Sequence, residues 1–176
     1  MSSIAFYVSG HGLGHASRQI EIINALTTRR PDCDVRIKSS APTWLFSRTL
    51  SHPDAPLISE SCDPGIVQLD SLRLDAVASI GRAVTFYANL DARAAAEATW
   101  LEAIGAALVV ADTPPLACLA AARAGIPAFV VGNSTWDWIW AGASWRRPAG
   151  GGRRSPPGPS CDGADMIAER LLERLG

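Results

Sequence analysis

Three features of the 176-residue sequence predict an α/β domain, a parallel sheet with helices on both faces. Short apolar runs alternate with segments of helical periodicity, the pattern of strands joined by helical crossovers. The runs Ile4–Ser9 and Leu108–Ala111 are almost wholly apolar, as strands buried on both faces are. The composition is globular, 48% hydrophobic and 19% charged, and the length suffices for one domain with a real core.

Taken in order, Ile4–Ser9 (IAFYVS) reads as the first strand, and Gly10, Gly12 and Gly14 follow at once. Ile20, Ile23 and Leu26, with Ile22 beside them, then recur at helical spacing and place a helix over Ala16–Leu26. Val35–Lys38 is a short second strand. Pro42, tolerated in a first turn, opens a helix through Leu50. Leu57–Ile58 and Ile66–Leu69 are weaker strands around a turn at Asp63-Pro64-Gly65. From Leu72 to Ile104 the chain is rich in alanine and leucine and free of proline. One or two long helices are expected there, with a break near Gly81. Leu108–Ala111 is the next buried strand and ends at Asp112. Pro114–Ala124 is a helix of small residues stopped by Gly125, and Pro127–Val131 is a further strand.

After about Ser144 the pattern fails. Arg146, Arg147, Arg153 and Arg154 stand among glycines and prolines with no periodicity. Ordering such a backbone costs entropy and buries nothing apolar in return, so residues 145–162 are expected to be a disordered linker. Gly163–Leu175 resumes as a helix with Met166, Ile167, Leu171, Leu172 and Leu175 on one face. A lone helix of that length is marginal in water and needs a surface to dock on. The expected organisation is a domain over 1–144, a linker over 145–162 and a terminal helix over 163–176.

The charge balance excludes several functions. Sixteen Lys+Arg against seventeen Asp+Glu leaves no electrostatic footprint for nucleic acid. No apolar run approaches the roughly 18 residues of a membrane span. No basic stretch precedes an apolar one at the N-terminus, so no signal peptide and a cytoplasmic location are expected. Cys33, Cys62, Cys118 and Cys161 form no Cys-x-x-Cys pair and are expected to be reduced thiols.

The sharpest motif is Ser9-Gly10-His11-Gly12-Leu13-Gly14-His15. Glycines let a backbone turn tightly out of a strand and approach a ligand closely. The helix start behind them offers unpaired N–H groups and a positive dipole end. His15 replaces the third glycine of the dinucleotide fingerprint, and Ser39 and Ser40 stand where its acidic residue belongs, so nicotinamide binding is disfavoured. The P-loop lysine and the hydrolase serine elbow are absent. His11 and His15 lack the glutamate of a zinc motif, and no metal is expected. What remains is a histidine as a base, since imidazole exchanges protons near neutral pH. A carboxylate on its other nitrogen would orient it, and Asp112, ending a buried strand on the same sheet edge, is the natural partner. The alternative is that His15 caps the first helix and Asp112 the helix at Pro114.

These residues resemble a family. YVSGHGLGHASR resembles the first strand, loop and helix of two-half glycosyltransferases of the GT-B arrangement. The chain is similar in particular to the glycosyltransferase-like module of plant L-arabinokinase and its stand-alone bacterial relatives. The match runs in order through Ala41-Pro42 with Phe46, through CDPGIVQLDSL from Cys62 to Leu72, and through LVVADTPPLACLAAARAGIP from Leu108 to Pro127. It continues over Asn133-Ser134-Thr135-Trp136-Asp137-Trp138-Ile139 and covers residues 3–141. The resemblance implies a Rossmann-like sheet, the acceptor-holding N-terminal half of that arrangement. It implies transfer of a hexosyl group from a nucleotide sugar, as co-substrate, to an acceptor hydroxyl, with no cofactor. His15 would be the general base, Asp112 its orienting carboxylate, and Gly10, Gly12 and Gly14 the loop near the reacting groups.

A donor-binding half should follow Trp140 and does not, so a truncated, weakly active or inactive form is expected. The alternative is a non-catalytic sugar-binding or regulatory module. A sugar-nucleotide epimerase would need the same second half, and no kinase phosphate motif is present. The candidate acceptor contacts are His11, Gln68, Asp70, Asn133, Trp136 and Asp137. Gln68, Asp70 and Ser71 read equally as a turn and helix cap. Trp136, Trp138 and Trp140 read equally as interface residues, through which self-association would occur.

Overall fold

The computed structural model describes residues 3–70, 72–132 and 163–175, with side chains of the last segment given from 167 to 173. In chain order the elements are β1 (Ser3–Val8), α1 (Leu13–Arg29), β2 (Asp34–Ser39), α2 (Thr43–Thr49), β3 (Leu57–Ile58), β4 (Val67–Gln68), β5 (Leu74–Asp75), α3 (Ala76–Ala88), α4 (Leu90–Ala103), β6 (Ala106–Ala111), α5 (Pro115–Ala124), β7 (Ala128–Val130) and α6 (Gly163–Leu175). β3, β2, β1, β6 and β7 lie side by side in that order, every pair parallel. The α/β class, with its Rossmann-like parallel sheet, is therefore what the sequence predicts.

β1 occupies the centre and is buried at all six positions. Because side chains alternate across a strand, its residues feed two cores. Ile4, Phe6 and Val8 pack with Leu108 and Val110 of β6, with Ile20, Ile23 and Leu26 of α1, and with Leu45 and Phe46 of α2. Ala168 and Leu171 of α6 complete that layer. Ala5 and Tyr7 face the other way, onto Leu101 of α4 and Ala117, Ala120 and Ala121 of α5. Each large apolar side chain so buried contributes about 1.5–3 kcal/mol. The alanines of α5 keep it close to the sheet, and Gly125 ends it in the left-handed conformation at φ 67°.

A charged cluster is set into the second layer. Lys38 of β2 is 6% exposed, and its Nζ lies 2.9 Å from both carboxylate oxygens of Glu97 on α4. It also lies 3.4 Å from Glu60 and 4.1 Å from the centroid of the Trp100 ring. Tyr7 Oη donates to the same Glu97 carboxylate at 2.6 Å. The cluster ties β1 and β2 to α4 by polar contacts whose partners are all present, the condition under which buried charge is tolerated.

The sequence reading is corrected in three places. The break in the long helical region falls at Asn89, not near Gly81. Asn89 ends α3, its side-chain amide donating to the Thr85 carbonyl, while the helix runs through Gly81 unbroken. The Ile66–Leu69 run does not join the sheet. Its Val67–Gln68 core pairs antiparallel with β5, an unexpected strand, in a separate two-stranded ribbon. Finally, α1 starts at Leu13 rather than Ala16, which carries Gly14 and His15 into its first turn.

Candidate functional site

The site begins where β1 ends. Ser9 to Gly12 form the loop, and Gly12 adopts φ 72°, ψ 161° as the residue before α1. That backbone region is open almost only to glycine. Gly10 is needed for space: a Cβ there would lie 2.0 Å from Ser40 Oγ and 2.9 Å from the Ser40 carbonyl carbon. The loop thus lies directly against the end of β2. The His11 backbone N–H is held by Ser9 Oγ at 3.2 Å.

Asp112 follows β6, and its N–H continues the ladder by donating to the Tyr7 carbonyl at 3.0 Å. Since β6 neighbours β1, the loops after the two strands meet, and His15 Nδ1 is hydrogen-bonded to Asp112 Oδ2. Asp112 is fully buried, while His15 keeps about a fifth of its side chain exposed. The second Asp112 oxygen has Arg18 Nη1 at 3.7 Å. Neither His15 nor Asp112 caps a helix. Gly12 and Pro114 hold the cap positions of α1 and α5, with no side-chain cap bond at either.

His11 lies 6.5 Å from His15, ring centroid to centroid. Burial, with the adjacent His15, holds its pKa below the ordinary histidine range, against an opposing pull from Asp63. A cleft of about 330 Å³ at the loop is lined by His11, Gly10, Gly12, Ser40, Asp63 and Gln68, among others, with His15 and Asp112 not among its lining residues. Gln68 is thereby brought to the loop. Asp70 is not: its carboxylate accepts from the N–H groups of Leu72 and Arg73 at 2.9 Å and from Arg73 Nε at 2.6 Å, closing the β4–β5 turn. Gly14 has open space around it and does not line the cleft. Asn133, Trp136 and Asp137, the linker over 145–162 and the tryptophan surface at Trp136–Trp140 lie outside the described residues.

Arg18, Asp63 and Arg82 were not singled out from the sequence. Asp63 sits in an Asp-Pro-Gly triplet that reads as a surface turn, yet it is 3% exposed and lines the cleft. Nothing in its spacing signals that burial. Cys62 beside it is buried, and burial above all, then Asp63 and Glu97, push its thiol well above the ordinary range, which disfavours the thiolate. The three described cysteines, Cys33, Cys62 and Cys118, are free thiols. Among the described residues no helix is long and apolar enough to cross a membrane.

The parallel sheet with the glycine loop at its carboxyl edge defines the class, an α/β domain with a Rossmann-like parallel sheet. More particularly, the chain is similar to L-arabinokinase of Arabidopsis thaliana, with 38% identity over 138 residues, 78% of this chain. It spans 13% of the length of that relative. No family model matches it. Solved structures similar to it include MurG of Acinetobacter baumannii, at 17% identity and a TM-score of 0.44 over 75% of this chain and 35% of that one. A UGT transferase from Siraitia grosvenorii in complex with UDP is another, at 18% identity and a TM-score of 0.47 over 74% of this chain and 27% of that one.

Proposed function

We propose that this domain serves hexosyl transfer from a nucleotide sugar to an acceptor hydroxyl, holding the acceptor and supplying the base. The observation that carries the reading is the His15–Asp112 hydrogen bond at the carboxyl edge of β1 and β6. A buried carboxylate on Nδ1 keeps the ring proton there and turns the Nε2 lone pair toward a substrate hydroxyl. In the step, Nε2 takes the hydroxyl proton as the acceptor oxygen bonds to the anomeric carbon. The bond from that carbon to the nucleotide phosphate oxygen breaks, and the diphosphate leaves with the electron pair. Asp112 stabilises the imidazolium without taking its proton. Gly10, Gly12 and His11 shape the cleft beside the base, and Gln68 reaches it as a hydrogen-bonding side chain.

The test is transfer by the purified chain across a panel of nucleotide sugars and acceptors. His15→Ala is expected to lower the rate by about 10²–10⁴-fold, the usual worth of a general base. Asp112→Asn should also lower it, at unchanged circular dichroism. A rate indifferent to His15→Ala would refute the assignment of the base. Absence of transfer with every donor would overturn the catalytic reading and leave the cleft as a binding site.

A further inference from the structure

The cleft beside the glycine loop is not closed at its far end. A second groove, of about 530 Å³, runs from it along α3 past Gly81, Thr85 and Asn89. Arg82 lines both cavities, together with Ser61, Asp63 and Pro64. Its surroundings set it apart from most of the described arginines. Arg30, Arg36, Arg73 and Arg123 are paired with Asp32, Asp34, Asp70 and Asp91, and Arg18 and Arg29 face Asp112 and Glu169. Arg82 is exposed and has neither an ion pair nor a hydrogen bond with any described residue. The groove holds a second cation, Arg93, whose Nη2 donates to the Ser61 carbonyl and whose guanidinium lies 4.6 Å from the centroid of the Phe86 ring. Buried Asp63 is the one acid among the lining residues, against the two arginines Arg82 and Arg93. Burial and the adjacent His15 disfavour the protonated form of His11, against the pull of Asp63.

We infer that Arg82 reads a negative charge on the acceptor, making the acceptor of this cleft an acidic sugar whose carboxylate or phosphate sits where cleft and groove join. The inference rests on the reading that the cleft holds the acceptor. A guanidinium presents a planar fork of donors that matches either anion bidentately, and at a cleft wall it works partly shielded from water. Neutral sugars would leave that fork without an acceptor, which is how a charged site rejects them.

Calorimetric titration of the purified chain, without donor, tests this. The probes are methyl glucuronide, methyl glucoside 6-phosphate and the uncharged methyl glucoside, at one ionic strength. At least one acidic probe is expected to bind about tenfold or more tightly than the neutral one, as for a charge-assisted hydrogen bond. Which of the two it is distinguishes carboxylate from phosphate. Arg82→Gln is expected to bring acidic and neutral probes within about twofold of each other, and Arg82→Lys to restore part of the difference. The variant should melt with the wild type, since Arg82 contacts no described partner. Equal affinity for all three probes, a preference that survives Arg82→Gln, or no binding of either acidic probe would each overturn the inference. The readout needs no turnover, so a chain without transferase activity leaves this result standing.

Discussion

Gly10, Gly12 and Gly14 look interchangeable in the sequence, and the structure gives them three different duties. Gly10 yields space to Ser40, Gly12 adopts a backbone conformation that L residues avoid, and Gly14 merely sits in the first turn of α1 with nothing within 4 Å of a Cβ. Gly12→Ala is therefore expected to lose about 1–3 kcal/mol of stability. Gly14→Ala should gain up to about 1 kcal/mol from helix propensity. Urea midpoints of the two variants are the check, and equal shifts would show that the loop does not hold Gly12 as described. The pairing of His15 with Asp112 was legible because each follows a recognisable apolar strand, and the loops after parallel strands share the carboxyl edge of the sheet. Arg18 was not, because its role depends on reaching across from α1 to the β6 loop. Asp63 was hidden by a triplet that usually lies in solvent.

α6 shows what periodicity can and cannot supply. The stripe of Ile167, Leu171 and Leu172 revealed which face is apolar, but not which surface it meets. In the structure Ala168 and Leu171 are fully buried in the layer of α1 and β1, and Arg29 of α1 lies 3.8 Å from Glu169. The helix that presents His15 in its first turn is thus braced by the far end of the chain. Leu171→Ala is expected to cost about 2–5 kcal/mol, and removal of residues 163–176 to lower the melting temperature more. Thermal melts followed by circular dichroism decide it; an unchanged melting temperature after the deletion would mean that α6 contributes nothing. The ribbon of β4 and β5 was poorly legible for a different reason. Two-residue strands are too short to display a period of two. Gly81 misled because a glycine inside a helix costs only about 1 kcal/mol and need not end it. Asn89 was the better stop, with an amide able to bond the last turn.

For the molecule as a whole, Tyr7 is one of the buried groups that weaken the fold at alkaline pH. Burial, and the hydrogen bond and charge of Glu97, raise the Tyr7 pKa far above the phenol range. The folded chain keeps that proton, whereas the unfolded chain releases it near pH 10. The stability contribution is complete below that value and declines above it, by about 1.4 kcal/mol for each further pH unit. Denaturant unfolding at successive pH values should show the decline, and Tyr7→Phe should flatten it; equal slopes would refute the role. The sheet order has a consequence in time. β1 is synthesised first and meets β2 about 30 residues later, but β6 only after about 100. At about 5–20 residues per second the ribosome needs roughly 5–20 s to make up that distance. Throughout that interval one edge of a strand destined to be buried at every position has no neighbour, and an open strand edge recruits whatever strand arrives. The nascent chain is then most in need of a chaperone at the very strand that the finished fold conceals best.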